Sequence, residues 1–276
     1  MSRKTSNREL EEMSLKQREY IRRIQNRKRT ISFLRWFIFA AFLVLWEAAA
    51  YFEWINSFIF CSPLKIWNCF TDMLLHQSLT THIGITVLET LAGFLLVVII
   101  SIIIAILLWW NETVSLVAEP YLVVLNSLPK SALAPVLIVW LGATTNTIIV
   151  CAMSVAIFGS ILNIYTCFQT VDADKIKLIR TLKGSKLDVL RLVIIPSSIP
   201  NLLSVMKVNI GLSLVGVVIG EFLAAKAGLG YLIIYGSQTF KMSWVLMSIV
   251  LLCILAMLLY QALKFIEKHL GRYCQS

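Results

Sequence analysis

The sequence predicts an all-α, polytopic membrane protein with six transmembrane helices. Hydrophobic residues make up 58% of the 276 residues and charged residues only 14%. Soluble domains carry about 25% charged residues. The deficit is concentrated in several apolar runs, each near the ~20 residues needed to cross hydrocarbon. These runs are uniformly apolar rather than alternating, which excludes the pattern of an outer-membrane barrel.

Taken in order, residues 1–30 read as a basic cytosolic arm, with Arg3, Lys4, Arg8, Lys16, Arg18, Arg22, Arg23, Arg27, Lys28 and Arg29. Residues 31–80 read as the first transmembrane helix, near Ile31 to Tyr51, and an external loop. That loop holds Trp54, Pro63, Trp67 and Asn68 and can form a short interfacial helix. The basic leader of about thirty residues and the length of the first apolar run, beyond the roughly 7–15 of a signal h-region, favour an uncleaved first span. Residues 81–268 form the transmembrane core. Its second span runs from about Ile83 to Trp110 and ends in a Trp-Trp pair suited to headgroup level. A loop over Asn111 to Glu119 is expected on the inner side, although it has no Lys or Arg. The third span, about Pro120 to Leu141, is irregular, because Pro129 and Pro135 each remove a helical hydrogen bond. Broken backbone is disfavoured against lipid, so this span should face protein or a cavity. The fourth span runs from about Thr145 to Phe168, the fifth from Asn201 to Ala224 and the sixth from Ser243 to Phe265. Residues 269–276 form a short cytosolic tail.

The net charge of +10 raises nucleic acid as a partner, but its distribution excludes that reading. The charge gathers in the N-terminal arm and in one central loop, where basic residues are retained on the cytoplasmic side. Both termini are therefore expected in the cytosol, in a multi-pass protein of the plasma or inner membrane. No Cys/His cluster has metal-ligand spacing, and His76, His82 and His269 are scattered. Of six cysteines, Cys151 and Cys253 read as packing residues. Cys61 and Cys69 share the external loop and can pair, a point that spacing alone leaves open. No strong internal repeat marks a self-contained inverted-repeat carrier.

The most distinctive stretch is the polar interruption from Val171 to Pro200, which carries Lys175, Lys177, Arg180, Lys183, Lys186 and Arg191. Asp172 or Asp174 can cap a short helix through about Leu182. Gly184 then permits a turn. A second helical stretch, Leu187 to Ile195, leads to Pro196, and Pro200 opens the next span. Two short helices around a glycine make a compact knob. It can dock in a cleft of a cytosolic partner, or lie as a hairpin on anionic lipid.

The loop resembles the EAA-type loop of ABC-importer permeases, whose pattern places a glycine thirteen residues before the proline of an L-P or I-P pair. Ile195-Pro196 supplies the end of the pattern, but the counted position is Lys183, with the glycine one residue later at Gly184. The Glu-Ala-Ala positions are Lys177, Leu178 and Ile179. Flanking segments are similar to the nitrate/sulfonate/taurine branch of these permeases. They are Asn126-Ser-Leu-Pro-Lys-Ser-Ala-Leu-Ala-Pro135 with Trp140-Leu-Gly142, Gly211 to Gly216, Gly220-Glu-Phe-Leu223, and Gly228-Leu-Gly-Tyr-Leu232. The resemblance covers roughly Thr81 to Lys268.

This resemblance implies a type I importer permease of MetI-like fold, two copies of which form a translocation pathway as a homodimer. It implies an extracytoplasmic solute-binding protein, and ATPase subunits that grip the loops at Arg180, Thr181, Leu182, Lys183, Gly184, Ser185, Lys186 and Leu187. ATP and Mg then belong to the partner ATPase, with no cofactor in this chain. In agreement, none of the twelve glycines begins G-x-x-x-x-G-K-[ST]. The implied solute is small and anionic, of the sulfonate, nitrate or taurine kind, or a vitamin precursor.

Five residues are candidates for the pathway. Lys130 sits at membrane depth, where a charge costs about 2.5–3.5 kcal/mol on insertion scales. It reads either as an anion-guiding residue or as a lysine holding carbonyls freed by the helix break. Ser127 and Ser131 flank that break and can offer hydroxyls to a solute. Gly216 reads as a close-packing position or a pathway wall. Glu221 reads as an external gate, a dimer contact or an interfacial carboxylate. Glu47 and Glu89 read as structural or partly solvated, and Lys207 as a lysine snorkelling to the cytosolic face. A membrane enzyme would need clustered acids, His or Cys at membrane depth, and none is present. A carrier or channel working without ATP would leave the basic loop unexplained.

Overall fold

A computed structural model describes residues 15–52, 54, 60–76 and 78–273. The described residues are helical apart from short connections. The chain divides into two units, Met1–Lys65 and Ile66–Ser276. The basic residues Arg3, Lys4 and Arg8, and the end of the tail at 274–276, lie outside the described residues.

In the first unit, α1 (Leu15–Tyr51) runs from the basic arm through the first apolar stretch without a break. The helix α2 (Pro63–His76) begins in this unit, continues past its end at Lys65 and lies in the segment expected to form a short interfacial helix. Its first turn is capped twice. The Leu64 N–H donates to the Glu47 carboxylate at 3.2 Å, and the Lys65 N–H donates to Ser62 Oγ at 3.3 Å. Glu47 thus has a capping role.

In the second unit, α3 (Leu79–Trp110), α4 (Glu112–Ser127), α5 (Lys130–Leu141) and α6 (Thr145–Gln169) follow one another closely. Then come α7 (Ala173–Thr181), α8 (Lys186–Val189), a π-turn (Leu190–Ile194), α9 (Ile195–Ala224), α10 (Leu229–Gln238) and α11 (Met242–Tyr273). Among the described residues, five helices are long and apolar enough to cross a membrane, or six if α4 and α5 together make one bent span.

Four sequence expectations need correction. The loop expected over Asn111 to Glu119 is the first half of α4. Asn111 Oδ1 accepts the N–H groups of Thr113 and Val114 at 3.0 and 3.3 Å and starts the helix at once. The third span therefore begins before Pro120, which lies inside α4. It breaks only at Leu128-Pro129, where the chain bends by 93°. Leu128 precedes a proline and is extended there, at φ −63° and ψ 140°. Pro135, in contrast, sits inside α5 without ending it. The second short helix of the central loop is also absent as a separate piece. α8, the π-turn and α9 form one span from Lys186 to Ala224, and Pro200 lies within it. The π-turn sits just before Pro196, and the Ile195 N–H reaches back to the Leu190 carbonyl. A proline ring crowds the carbonyl four residues earlier, and a widened turn relieves that clash without ending the helix. Finally, the Gly228-Leu-Gly-Tyr-Leu232 stretch opens a further helix, α10, that the six expected spans do not include.

α6 is central. α9 and α3 pack most extensively against it, and both approach at Ala152. A Cβ on Gly93 of α3 would stand 2.8 Å from the Ala152 Cβ. A Cβ on Gly216 of α9 would stand 2.6 Å from the Ala152 Cα and 3.1 Å from the carbonyls of Cys151 and Ala152. Gly220, one turn on, would meet the Ile148 Cα at 3.1 Å. Burial against lipid brings little gain over burial against protein, so close backbone approach is what joins such helices. Polar links add direction. The Asn209 Nδ2 of α9 donates to Ser160 Oγ of α6 at 2.7 Å, both fully buried. Lys207 of α9 does not snorkel alone, since it pairs with Glu267 of α11 at 2.7 Å.

Gly216→Leu is expected to cost about 3 kcal/mol or more through overpacking and to lower the melting temperature in detergent sharply. Gly211→Ala serves as the control: nothing lies within 4 Å of its added Cβ, and melting should stay within a degree or two of the parent.

Candidate functional site

At one end of the second unit, the segment between α6 and α9 projects as a compact exposed turn. Asp172 Oδ1 accepts the Asp174 N–H at 2.9 Å and starts α7. α7 ends in a Schellman arrangement: the Gly184 N–H donates to the Ile179 carbonyl at 2.9 Å and the Lys183 N–H to the Arg180 carbonyl at 3.0 Å. Lys183 occupies the left-handed position of that motif, at φ 60°. Gly184 does not have positive φ, which corrects the sequence reading of the turn. Its glycine is required by contact instead, because a Cβ there would stand 2.5 Å from Ile179 Cγ2 and 3.0 Å from the Ile179 carbonyl. Ser185 and Asp188 then close a capping box that starts α8.

The turn keeps apolar side chains in the open. Leu178 is 60% exposed, Leu182 72% and Leu187 40%. Arg180, Thr181, Lys183 and Ser185 are exposed beside them. Lys186 is held differently. Its ammonium donates to the Trp110 carbonyl and stands 5.6 Å from the ring centres of both Trp109 and Trp110. It therefore ties the turn to the end of α3. Behind it, Val189, Leu190 and Ile194 are buried against Leu108, Ile161, Tyr165 and Phe168.

At the α4–α5 break, the Lys130 ammonium donates to the Asn126 carbonyl, which the bend has released from its helix. The Ser127 hydroxyl donates to the Val123 carbonyl at 2.9 Å. Ser127 and Ser131 are both exposed. Gly216 lies inside the helix packing described above.

Glu221 is 1% exposed and sits at the start of α10. In that first turn, the Gly228 N–H donates to His82 Nδ1 at 3.0 Å and the Leu229 N–H to Thr86 Oγ1 at 2.8 Å. The Gly230 N–H donates to Glu221 Oε2, and the Tyr231 N–H also reaches the Glu221 carboxylate. The Thr86 hydroxyl donates in turn to Glu221 Oε1 at 2.7 Å. All the N–H groups that a helix start leaves without helical partners are thus held by side chains. Gly228, at φ 123°, and Gly230 leave room for the carboxylate, since a Cβ on either would collide with it. The His82 ring stacks on Tyr231 at 6.2 Å.

Sequence reasoning missed His82 and Thr86 as partners of Glu221. A signal was present. His82, Thr86 and Glu89 are spaced by four and three in an otherwise apolar run, which puts them on one helix face.

The arrangement defines a class: an all-α membrane bundle built around close glycine contacts, with an exposed basic turn wired into its helix ends. Residues 97–272 match the family described as binding-protein-dependent transport system inner membrane component. The chain belongs to that family, and it is a type I ABC importer permease. It is 24% identical over 237 residues to a putative aliphatic sulfonates transport permease of Bacillus subtilis, covering 86% of each chain. It is 27% identical over 231 residues to a formylaminopyrimidine transport permease of Halalkalibacterium halodurans, covering 83% of this chain and 91% of that one. Among solved structures, the MetNI methionine ABC transporter in an inward-facing conformation aligns with a TM-score of 0.61 at 18% identity, over 71% of this chain and 95% of that one. An amino acid ABC transporter gives 0.57 at 19% identity, over 74% and 98%. These last two establish the shared fold.

Two substitutions test the local geometry. Lys183→Gly is expected to stabilise the turn by about 1 kcal/mol, because glycine carries no Cβ penalty at the left-handed position, and to raise the melting temperature slightly. Thr86→Val leaves the Leu229 N–H without a partner, at about 1–3 kcal/mol. Hydrogen exchange should then quicken at Leu229, Gly230 and Tyr231 well before the amides in the middle of α6.

Proposed function

We propose that this chain is the permease subunit of an ATP-driven importer, in which separate ATPase subunits grip the turn at Arg180–Leu187. The observation that carries the reading is that turn. Leucines at its surface, 72% exposed at Leu182, stand among cations on a rigid, doubly capped scaffold. An apolar knob with a basic rim suits a groove on a soluble protein better than a lipid surface, where the leucines would have to point into hydrocarbon. The twelve glycines include no phosphate-cradling motif, which supports an ATPase on another polypeptide carrying ATP and Mg.

In this reading the turn lies in the cytosol with both termini, and two copies form the pathway. A solute-binding protein delivers a small solute from outside. Relatives transport sulfonate and formylaminopyrimidine, as their names state, and a third, in Chloroflexus aurantiacus, transports riboflavin. A small anion or vitamin precursor is the proposed solute. ATP closes the ATPase pair, and movement of the turn passes through Lys186 to the end of α3 and through the continuous α8–α9 helix to the bundle. ATP drives the change only because the ATPase pair holds the two permease states with different affinity.

Leu182→Asp is expected to abolish co-purification of the ATPase from native membranes while leaving the melting temperature unchanged. Lys186→Ala should keep the ATPase bound and lower ATP-dependent uptake in proteoliposomes, because the link to Trp110 is cut. A chain that purifies alone and moves solute without ATP would overturn the proposal.

A further inference from the structure

Behind the exposed turn, a cavity of about 300 Å³ opens where the end of α3 meets the start of α4, the end of α6 and the helix α7. That volume is at the small end of the range for ligand sites, roughly 300–1,000 Å³. Leu108, Trp109 and Ile176 supply apolar lining, and Arg180, Lys186, Tyr165 and Glu112 supply charge and hydrogen-bonding groups.

Arg180 is the unusual member. The ion pairs among the described residues are Lys177 with Asp174 and Lys207 with Glu267. Arg180 and Glu112 therefore line one space without pairing across it. A guanidinium presents five N–H donors in a planar fork, and those of Arg180 have no protein acceptor among the described residues. Lys186 is fixed by the Trp110 carbonyl and by the rings of Trp109 and Trp110, which leaves two ammonium hydrogens to donate. Tyr165 is 7% exposed, and its Oη accepts from Gln169 Nε2 at 2.7 Å, so the phenol hydrogen is also left to donate. Three donor groups, two of them cationic, thus line a space that holds a single acid, Glu112. An anion with acceptor oxygens in several directions satisfies them. A tetrahedral phosphate has that shape, a planar carboxylate does not, and an arginine fork grips phosphate bidentately. The Trp109-Trp110 pair suits headgroup level, the depth of phospholipid phosphates. Basic pockets between spans on the cytoplasmic side take acidic headgroups.

We propose that this cavity binds a phosphate group, held by Arg180, Lys186 and the Tyr165 hydroxyl. The inference rests on the importer reading, which puts the turn on the cytosolic side, and deepens it: the leucines of the turn serve the ATPase, while Arg180 and Lys186 serve the phosphate. An occupied cavity holds α7 to the ends of α3 and α6. A phospholipid headgroup and a free phosphate present the same chemistry, so the test separates the two sources.

The full chain is purified in a maltoside detergent, which carries no phosphate, and lipid binding is followed by native mass spectrometry. The probes are dioctanoylphosphatidylglycerol and dioctanoylglycerol, which differ only in the phosphoglycerol headgroup. The phospholipid should bind about tenfold tighter or better, the value of one charge-assisted contact. Arg180→Gln should remove most of that preference. Glu112→Gln takes away the opposing acid at an exposed position and should tighten phospholipid binding several-fold, a gain that misfolding does not produce. Equal binding of the two probes, a preference that survives Arg180→Gln, or no tightening in Glu112→Gln overturns the proposal. Inorganic phosphate in large excess identifies the source: phospholipid that stays bound assigns the site to the headgroup, phospholipid that is displaced assigns it to free phosphate, and both outcomes support a phosphate site. ATPase co-purification is read separately on Leu182→Asp, so a failed phosphate site and a failed importer reading are distinguishable.

Discussion

The close meeting of α3, α6 and α9 at Ala152 is the constraint on which the rest of the second unit depends. In a bilayer, the apolar surface of a helix gains little by leaving lipid for protein. Backbone proximity and the few polar contacts it permits have to supply the order. Gly93 and Gly216 allow two helices to reach the same alanine from different directions, and Gly220 extends the seam by one turn. That proximity brings Asn209 within 2.7 Å of Ser160. It also sets the ends of α3 and α9 side by side, so that Thr86 and Glu221 can meet.

The meeting of Thr86 and Glu221 solves a second problem. α10 is a ten-residue helix whose first N–H groups have no helical acceptors and little access to water. Irregular backbone survives at such a place only when protein groups satisfy it. His82 and Thr86 from α3 and Glu221 from α9 do so together. An aromatic series then carries the arrangement along α10. Tyr231 stacks on His82, Tyr235 on Tyr231, and Trp244 of α11 follows at 5.7 Å. A change in the spacing of α3 and α9 would therefore be felt by α10.

At the other end, the exposed turn is fixed in shape while its leucines and cations stay open. The Schellman closure, the contact of Gly184 with Ile179 and the Ser185–Asp188 box fix its shape. The unbroken run from Lys186 into α9 makes the turn an extension of a bundle helix. Lys183 occupies the left-handed position of that closure, at φ 60°, where a glycine would carry no Cβ penalty. This chain keeps the backbone conformation and bears the cost of a side chain, which adds a cation at the tip.

Much of this was legible in the sequence. The apolar runs set the all-α membrane class and most of the helices, because span length and composition are local properties. Asp172 as a cap, the break near Pro129, and the glycine–proline spacing of the turn were readable for the same reason. The start of α4 at Asn111 was obscured by polar residues that suit a helix cap as well as a loop. The continuity of α8 with α9 was hidden because Pro196 signals a stop unless a π-turn accommodates it. Tertiary structure alone decided the fates of Lys207, Glu89 and Glu221. Each of these charges is defined by a partner far away in sequence: Glu267 for Lys207, Glu221 beside Glu89, and Thr86 and Gly230 for Glu221. The sequence determined which segments are long and apolar enough to cross a membrane and where most of the breaks between them fall. The choice among packing, capping and binding for a buried polar side chain needed three helices to meet, because hydrogen bonding acts over about 3 Å and residues that distant along the chain come within that reach only in the folded bundle.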